Sequence, residues 1–351
     1  MTQQYFRTRL TDLLGIKHPI LLGGMMYLGD ASIVGAIVNA GAMGFITARS
    51  FRHADDFRDE LVKCWRITDG KPFGVNVSIS ARLGFHGQVS TLVDVALEQG
   101  VRVFETAGVR PDDVLGPVHN AGGILIHKCP RIRHALSAQR IGVDAIILVG
   151  MDEGGHPGLN ELSSMVQAAH ARDRIHLPLM VGGGIGHGRQ IAAALAMGMD
   201  GVVMGSRFLA ANEINAHEEY KKRMVEVDED CSTTALTSLG DTWRVLDNDH
   251  VREVQRIEAA GAKRHEDFGE LIRGYIAKEH AYDKGDWQKG MISCSSAAGF
   301  VDAIEPAATI VERLMKDAAA AMDKGSANRS KALMVGVDDP VRADASTIAA
   351  R

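Results

Sequence analysis

Eight short apolar runs punctuate the first two thirds of the chain, and glycine-rich or polar turns follow several of them. They read PILLGG from Pro19, MGFITA from Met43, PFGVNVS from Pro72, VRVFETAG from Val101, GILIHKC from Gly123, DAIILVG from Asp144, PLMVGGG from Pro178 and GVVMGSRF from Gly201. Each is strand-length and rich in branched apolar residues, and helix-length segments separate them. Eight βα units in succession are the arithmetic of an α/β fold of the (β/α)8 TIM-barrel type. Such a barrel carries its chemistry at the C-terminal ends of its strands, so the residues after each run are the ones to inspect.

The intervening segments show helical spacing and glycine stops. Ile33, Ile37 and Val38 precede Gly41, and a charged helical pattern over 51–70 ends at Asp69-Gly70. Leu92, Val93, Val95, Ala96 and Leu97 precede Gly100, RIRHALSAQRI precedes Gly142, and RQIAAALAM precedes Gly198. The beat stops after Phe208. The expected organisation is a barrel over residues 1–208 and 291–323, with a charged, helical insertion after strand eight over 209–290. That stretch is too long for a structureless loop and would sit over the barrel mouth as a lid. The polar tail, 324–351, reads as either disordered or an arm on a partner subunit of a homodimer.

Composition narrows the function classes. The 351 residues are 46% hydrophobic and 24% charged, ordinary globular proportions, with a net charge of -5 and no basic block. A nucleic-acid surface is therefore not expected. No run approaches the roughly 20 apolar residues that span a bilayer, and MTQQYFRTRL lacks an apolar leader core. Cys64, Cys129, Cys231 and Cys294 form no CxxC pair, so a structural zinc site or redox dithiol is not indicated. Reduced thiols in a cytoplasmic protein are the expectation.

Three glycine-bearing strand ends stand out. Gly182-Gly183-Gly184-Ile185-Gly186 follows strand seven, and Gly205-Ser206 follows strand eight. Glycines let backbone amides approach phosphate oxygens, and adjacent loops of this kind make a cradle more plausible than two tight turns alone. The spacing is not GxGxxG, since His187 stands where the last glycine would be. Gly154-Gly155-His156-Pro157-Gly158 follows strand six, and imidazole suits proton transfer near neutral pH. With 14 histidines in the chain, position at a strand end is what lifts His156 above the others. His127 and His187 are weaker candidates, and His18, His53 and His86 read as surface or structural. Asn76 ends strand three and could hydrogen-bond a heterocycle or cap a turn. Lys128 ends strand five and could face an electron-rich ring, a phosphate or solvent. Met25 and Met26 after Gly23-Gly24 could pack on a planar ring or fill core. Strands two and four offer no group to single out. No metal-ligand cluster and no GxSxG elbow occur.

Taken together, PILLGGM, AGAMGFI, GVN, HKC with RHALSAQRIGVDAI, EGGHPG and GGGIGHGRQIAAALAMGMDGVVMGSRFL span residues 15–212 in order. This set resembles the nitronate monooxygenase (2-nitropropane dioxygenase) family of FMN-dependent barrels. The same superfamily contains flavin-dependent enoyl-thioester reductases and NADH:quinone reductases. The resemblance implies FMN across the barrel mouth. Gly183, Gly184, Gly205 and Ser206 would hold its phosphate, Gly24, Met25, Asn76, Lys128 and Gly155 would adjoin it, and His156 would be the catalytic base. It implies oxidation of nitronates by dioxygen, or alternatively NAD(P)H-driven reduction of an acyl thioester or quinone. A non-catalytic FMN- or phosphate-binding barrel is the third reading. The chain departs from the family pattern at GGM in strand one, at His187, at Pro157 and at GMISCSSAAGF, which stands for a Gly-Gln element.

Overall fold

A computed structural model describes residues 5–79, 88–159 and 161–335. The eight runs form β1 (Ile20–Leu22), β2 (Met43–Thr47), β3 (Gly74–Ile79), β4 (Val103–Gly108), β5 (Ile124–Cys129), β6 (Ala145–Val149), β7 (Leu179–Gly182) and β8 (Gly201–Met204). They pair in parallel and in sequence order, and β8 closes on β1 through Leu21 opposite Val203. The helices are α1 (Arg9–Leu14), α2 (Ala31–Asn39), α3 (Ala54–Ile67), α4 (Gln88–Glu98), α5 (Asp112–Asn120), α6 (Ile132–Ile141), α7 (Ser164–Ala171) and α8 (Gly188–Ala196).

Strands covered on both faces must be apolar on both, which is why the runs are nearly continuous. The strand period of two then sorts the side chains into two cores. Leu21, Phe45, Val103, Ile126, Ile147 and Val203 fill the barrel, and Leu10 and Leu14 of α1 close its floor. Their neighbours Leu22, Ile46, Phe104, Leu125, Ile146 and Val202 face the helices.

The floor is fastened by Asp200, which is nearly buried. It accepts from Arg9 Nε at 2.9 Å and Nη2 at 2.6 Å, and from the Leu179 amide at 2.9 Å. Asp200→Ala is expected to lower the unfolding free energy by about 2–3 kcal/mol, because a bidentate guanidinium and a buried amide lose their acceptor. Urea denaturation checks this, and a change within about 0.5 kcal/mol would remove Asp200 from the fastening of α1.

The stretch 209–290 departs from the helical expectation. Besides α9 (Glu218–Glu226) and α10 (Asp249–Ala259) it folds β9 (Ser232–Ala235) against β10 (Trp243–Leu246), antiparallel, with Trp243 opposite Ala235. STTA and WRVL are short but β-prone, and the charged residues around them hide that signal. Ala235, Leu236, Val245, Val251, Val254 and Phe268, joined by Met291 just beyond it, give this segment a small core.

The expected tail boundary also moves. A long C-terminal helix, Ala307–Val335, passes through residue 324 and packs against α8 and α2. Its run of alanines favours helix enough to carry Gly325, whose cost is about 1 kcal/mol. The rest of the expected tail, 336–351, lies outside the described residues, as does His86. Among the described residues no helix is long and apolar enough to cross a membrane.

Candidate active site

The alternation that packs the barrel also decides what crowns it. Asn76, Glu105 and Lys128 fall on the inward set of β3, β4 and β5, above Gly74, Val103 and Ile126. Asn76 lies opposite Glu105 in the ladder, and its Nδ2 donates to Glu105 Oε2 at 3.0 Å. The Gly24 amide donates to the same oxygen at 3.1 Å. Lys128 Nζ stands 3.1 Å from Glu105 Oε1 and 3.3 Å from Glu153 Oε1. A Cβ on Gly24 would come within 2.2 Å of Asn76 Cγ, so only glycine admits this approach.

Strand four, expected to offer nothing, therefore supplies the centre of the cluster: Glu105 is fully buried. The signal was available, since VFETAG and GILIHKC each carry one charge in an apolar run, and the two charges are opposite. Burial works against the Lys128 ammonium, but Glu105 and Glu153 outweigh it and raise its proton affinity above that of an ordinary lysine. Burial raises the Glu153 carboxyl, with Lys128 opposing.

His156 follows β6 and stays accessible. Its Nδ1 lies 3.2 Å from Asp241 Oδ1, with side chains 49% and 45% exposed. The Trp243 ring lies 4.7 Å from the imidazole, tilted by 30°. The loop that carries the histidine is tied to β10 by Gly155 N to Arg244 O at 2.9 Å and Arg244 N to Gly155 O at 2.7 Å. Neither Asp241 nor Trp243 was singled out from sequence, because both lie in the segment read as a generic helical insertion.

The glycine loop after β7 has φ of +103° at Gly183 and +66° at Gly184, a left-handed path open to glycine at little cost. A Cβ on Gly183 would meet Ser164 Oγ at 2.5 Å and the Glu153 amide at 2.8 Å. Ser164 itself is held by Asp152 and by the Gly182 carbonyl. After β8, Ser206 Oγ accepts from the Ser295 amide at 3.0 Å and from Ser295 Oγ at 3.1 Å. The departing GMISCSSAAGF segment thus lies on the β8 loop, and its Ala297 and Phe300 crowd Gly186. A Cβ on Gly205 would meet Met25, its sulfur at 3.8 Å, and nothing nearer among the described residues.

The weaker histidines serve the scaffold. His127 is buried on the helix-facing side of β5, its Nδ1 2.9 Å from Thr106 Oγ1, and burial pushes it down to about 4. His187 caps α8, accepting from the Arg189 amide at 3.1 Å. Burial likewise lowers His18 to about 4. Met26 is exposed, and Met25 packs on the core. All four cysteines are free and buried, and no metal-holding group occurs among the described residues.

Strand-end glycine amides, a buried cation with carboxylate and amide neighbours, and an accessible imidazole are thus gathered at one end of a barrel. A family model described as nitronate monooxygenase matches residues 7–317. A (3aS,4S,5R,7aS)-5-hydroxy-7a-methyl-1-oxo-octahydro-1H-indene-4-carboxyl-CoA dehydrogenase of Mycobacterium tuberculosis is 30% identical over 250 residues, 71% of this chain and 68% of that protein. A probable nitronate monooxygenase of Staphylococcus saprophyticus is 25% identical over 291 residues, 72% of this chain and 81% of that protein. Among solved structures, FabK from Thermotoga maritima superposes with a TM-score of 0.83 at 30% identity, covering 92% of this chain and 99% of that one. A nitroalkane oxidase from Streptomyces ansochromogenes gives 0.75 at 24% identity over 90% and 99%, a likeness of fold alone.

Proposed function

The chain belongs to the nitronate monooxygenase family, a family of flavin-dependent oxidoreductases, and on that premise we propose that it oxidises alkyl nitronates with FMN and dioxygen. Two nitronate anions and one dioxygen would give two carbonyl compounds and two nitrite ions, which balances atoms and charge. The observation that carries the reading is His156, a half-exposed imidazole with its Nδ1 at 3.2 Å from a carboxylate, at the same barrel end as the polar crown.

The residues fit FMN on three counts. Gly183 and Gly184 follow a left-handed path, and with Gly205 and Ser206 they would hold the phosphate through backbone amides and a hydroxyl. Gly24 and Asn76 are pressed together and bring an amide N–H and a side-chain amide to the crown. Lys128 brings a fixed positive charge. Gly24, Met25, Asn76, Lys128 and Gly155 would adjoin the ring. When bound, the flavin supplies electron acceptance and the reaction with dioxygen. His156 takes the α-proton of a neutral nitroalkane or orients the preformed anion. The β9–β10 pair, docked on the histidine loop through Gly155 and Arg244, fixes the path of that loop. A cytoplasmic location and a homodimer belong to the same proposal.

A second reading is favoured by the relative named as a carboxyl-CoA dehydrogenase. A thioester acidifies its α-carbon as a nitro group does, so His156 could serve either. NAD(P)H-dependent reduction of an enoyl thioester or quinone is the reductive form of this alternative. Anaerobic mixing separates the two. Propyl-2-nitronate is expected to bleach the flavin, with NADH and NADPH leaving it oxidised. The opposite pattern transfers the assignment to the reductase reading.

A further inference from the structure

We infer that Asp241 is a positioning residue for His156, so that the segment after β8 completes the proton-transferring group rather than merely covering the barrel. The inference rests on the reading of His156 as a base, and it deepens that reading.

Three contacts hold the imidazole, all from or through β10 and its approach. The paired hydrogen bonds between Gly155 and Arg244, at 2.9 and 2.7 Å, set the path of the backbone next to His156. Trp243 lies against one face of the ring at 4.7 Å, within the range of favourable aromatic packing. Trp243 is itself oriented by its Nε1, which donates to Ser293 Oγ at 2.9 Å. The third contact is chemical: Asp241 Oδ1 lies 3.2 Å from Nδ1.

An ionised carboxylate can only accept a hydrogen bond. A neutral imidazole carries one proton, so the pairing places that proton on Nδ1 and leaves the lone pair on Nε2. Asp241 therefore selects which nitrogen acts as the base. When Nε2 takes a proton, the same carboxylate balances the new charge. Without Asp241, the proton is free to move to Nε2, where it blocks the reactive lone pair.

Nitrogen-15 NMR of the neutral His156 ring, assigned by comparison with His156→Ala, reads the tautomer without any substrate. The wild type is expected to show Nδ1–H, and Asp241→Ala to shift toward Nε2–H. Turnover of a neutral nitroalkane should fall about tenfold, between the small coupling of an exposed ion pair and the ~10,000-fold effect of a buried triad carboxylate. Turnover of the preformed nitronate should change little. Asp241→Asn can donate its amide N–H to Nδ1 and so hold the proton on Nε2, and it should show the Nε2–H tautomer with no recovery of rate. Retention of flavin checks the fold of each variant. An unchanged tautomer in Asp241→Ala overturns the inference, and so does a shifted tautomer with undiminished turnover of the neutral substrate. If the wild type turns over neither nitro compound but the tautomer shifts, Asp241 still sets the base and the substrate assignment is what fails.

Discussion

His156→Ala is expected to keep flavin bound while turnover of neutral nitroalkanes falls about 100- to 10,000-fold, the range that positioned general bases contribute. The residues proposed to hold FMN lie on β1, β3, β5, β7 and β8 and their loops, apart from Gly155 of the β6 loop, which would contribute backbone only. His156 is half-exposed and tied to Asp241 and Trp243 rather than to that set. Removing its ring therefore leaves the glycine path and the Asn76–Glu105–Lys128 crown intact. A preformed nitronate has already lost its α-proton, so its turnover should fall by less than about tenfold, the part owed to orientation. Steady-state rates on both forms of one substrate, with flavin content measured alongside, give the ratio. Equal losses on the two forms would remove the base role and leave His156 as a binding group.

Lys128→Met is expected to be the most damaging single change to stability. It strips the cation from between Glu105 and Glu153, which stand 3.1 and 3.3 Å from Nζ, and leaves a fully buried carboxylate facing another without a counter-charge. Breaking a buried ion pair from one side costs about 3–5 kcal/mol. The pH dependence follows from Glu153. Burial holds its carboxyl above the usual range, and Lys128 opposes that rise. A carboxyl that binds protons more tightly folded than unfolded takes away stability as pH climbs from its unfolded value through its folded one. Loss of Lys128 extends that window upward. The deficit should therefore be smaller at mildly acidic pH than at neutral pH, as urea denaturation at both would show. A deficit that grows on acidification would contradict the arrangement. Lys128→Met should also lower flavin content, since the charge proposed to adjoin the ring is gone.

The barrel was legible because its signal is local. Eight strands announce themselves through branched apolar residues on both faces, and helices through spacing and glycine stops, without knowledge of distant neighbours. The glycines at 183 and 184 were legible for the same reason: a left-handed backbone is a property of the residue itself. Glu105 was not, although its strand was recognised. Whether a lone carboxylate in an apolar run points inward depends on strand phase, and whether it is tolerated depends on Lys128 from the next strand. The β9–β10 pair was hidden because two four-residue strands among charges carry little periodicity, and pairing rather than propensity defines them.

By itself, then, the sequence determined the number and order of the βα units, the ends where chemistry could sit, and the residue types available there. These follow from periodicity and backbone freedom, which act over a few residues. Only the tertiary structure decided that Glu105 and Glu153 flank Lys128, that Ser295 reaches Ser206, and that Asp241 and Trp243 come from a remote hairpin to hold His156. Those pairings depend on barrel closure and on the docking of β10 against the histidine loop, and a through-space contact leaves no trace in the spacing of either partner along the chain.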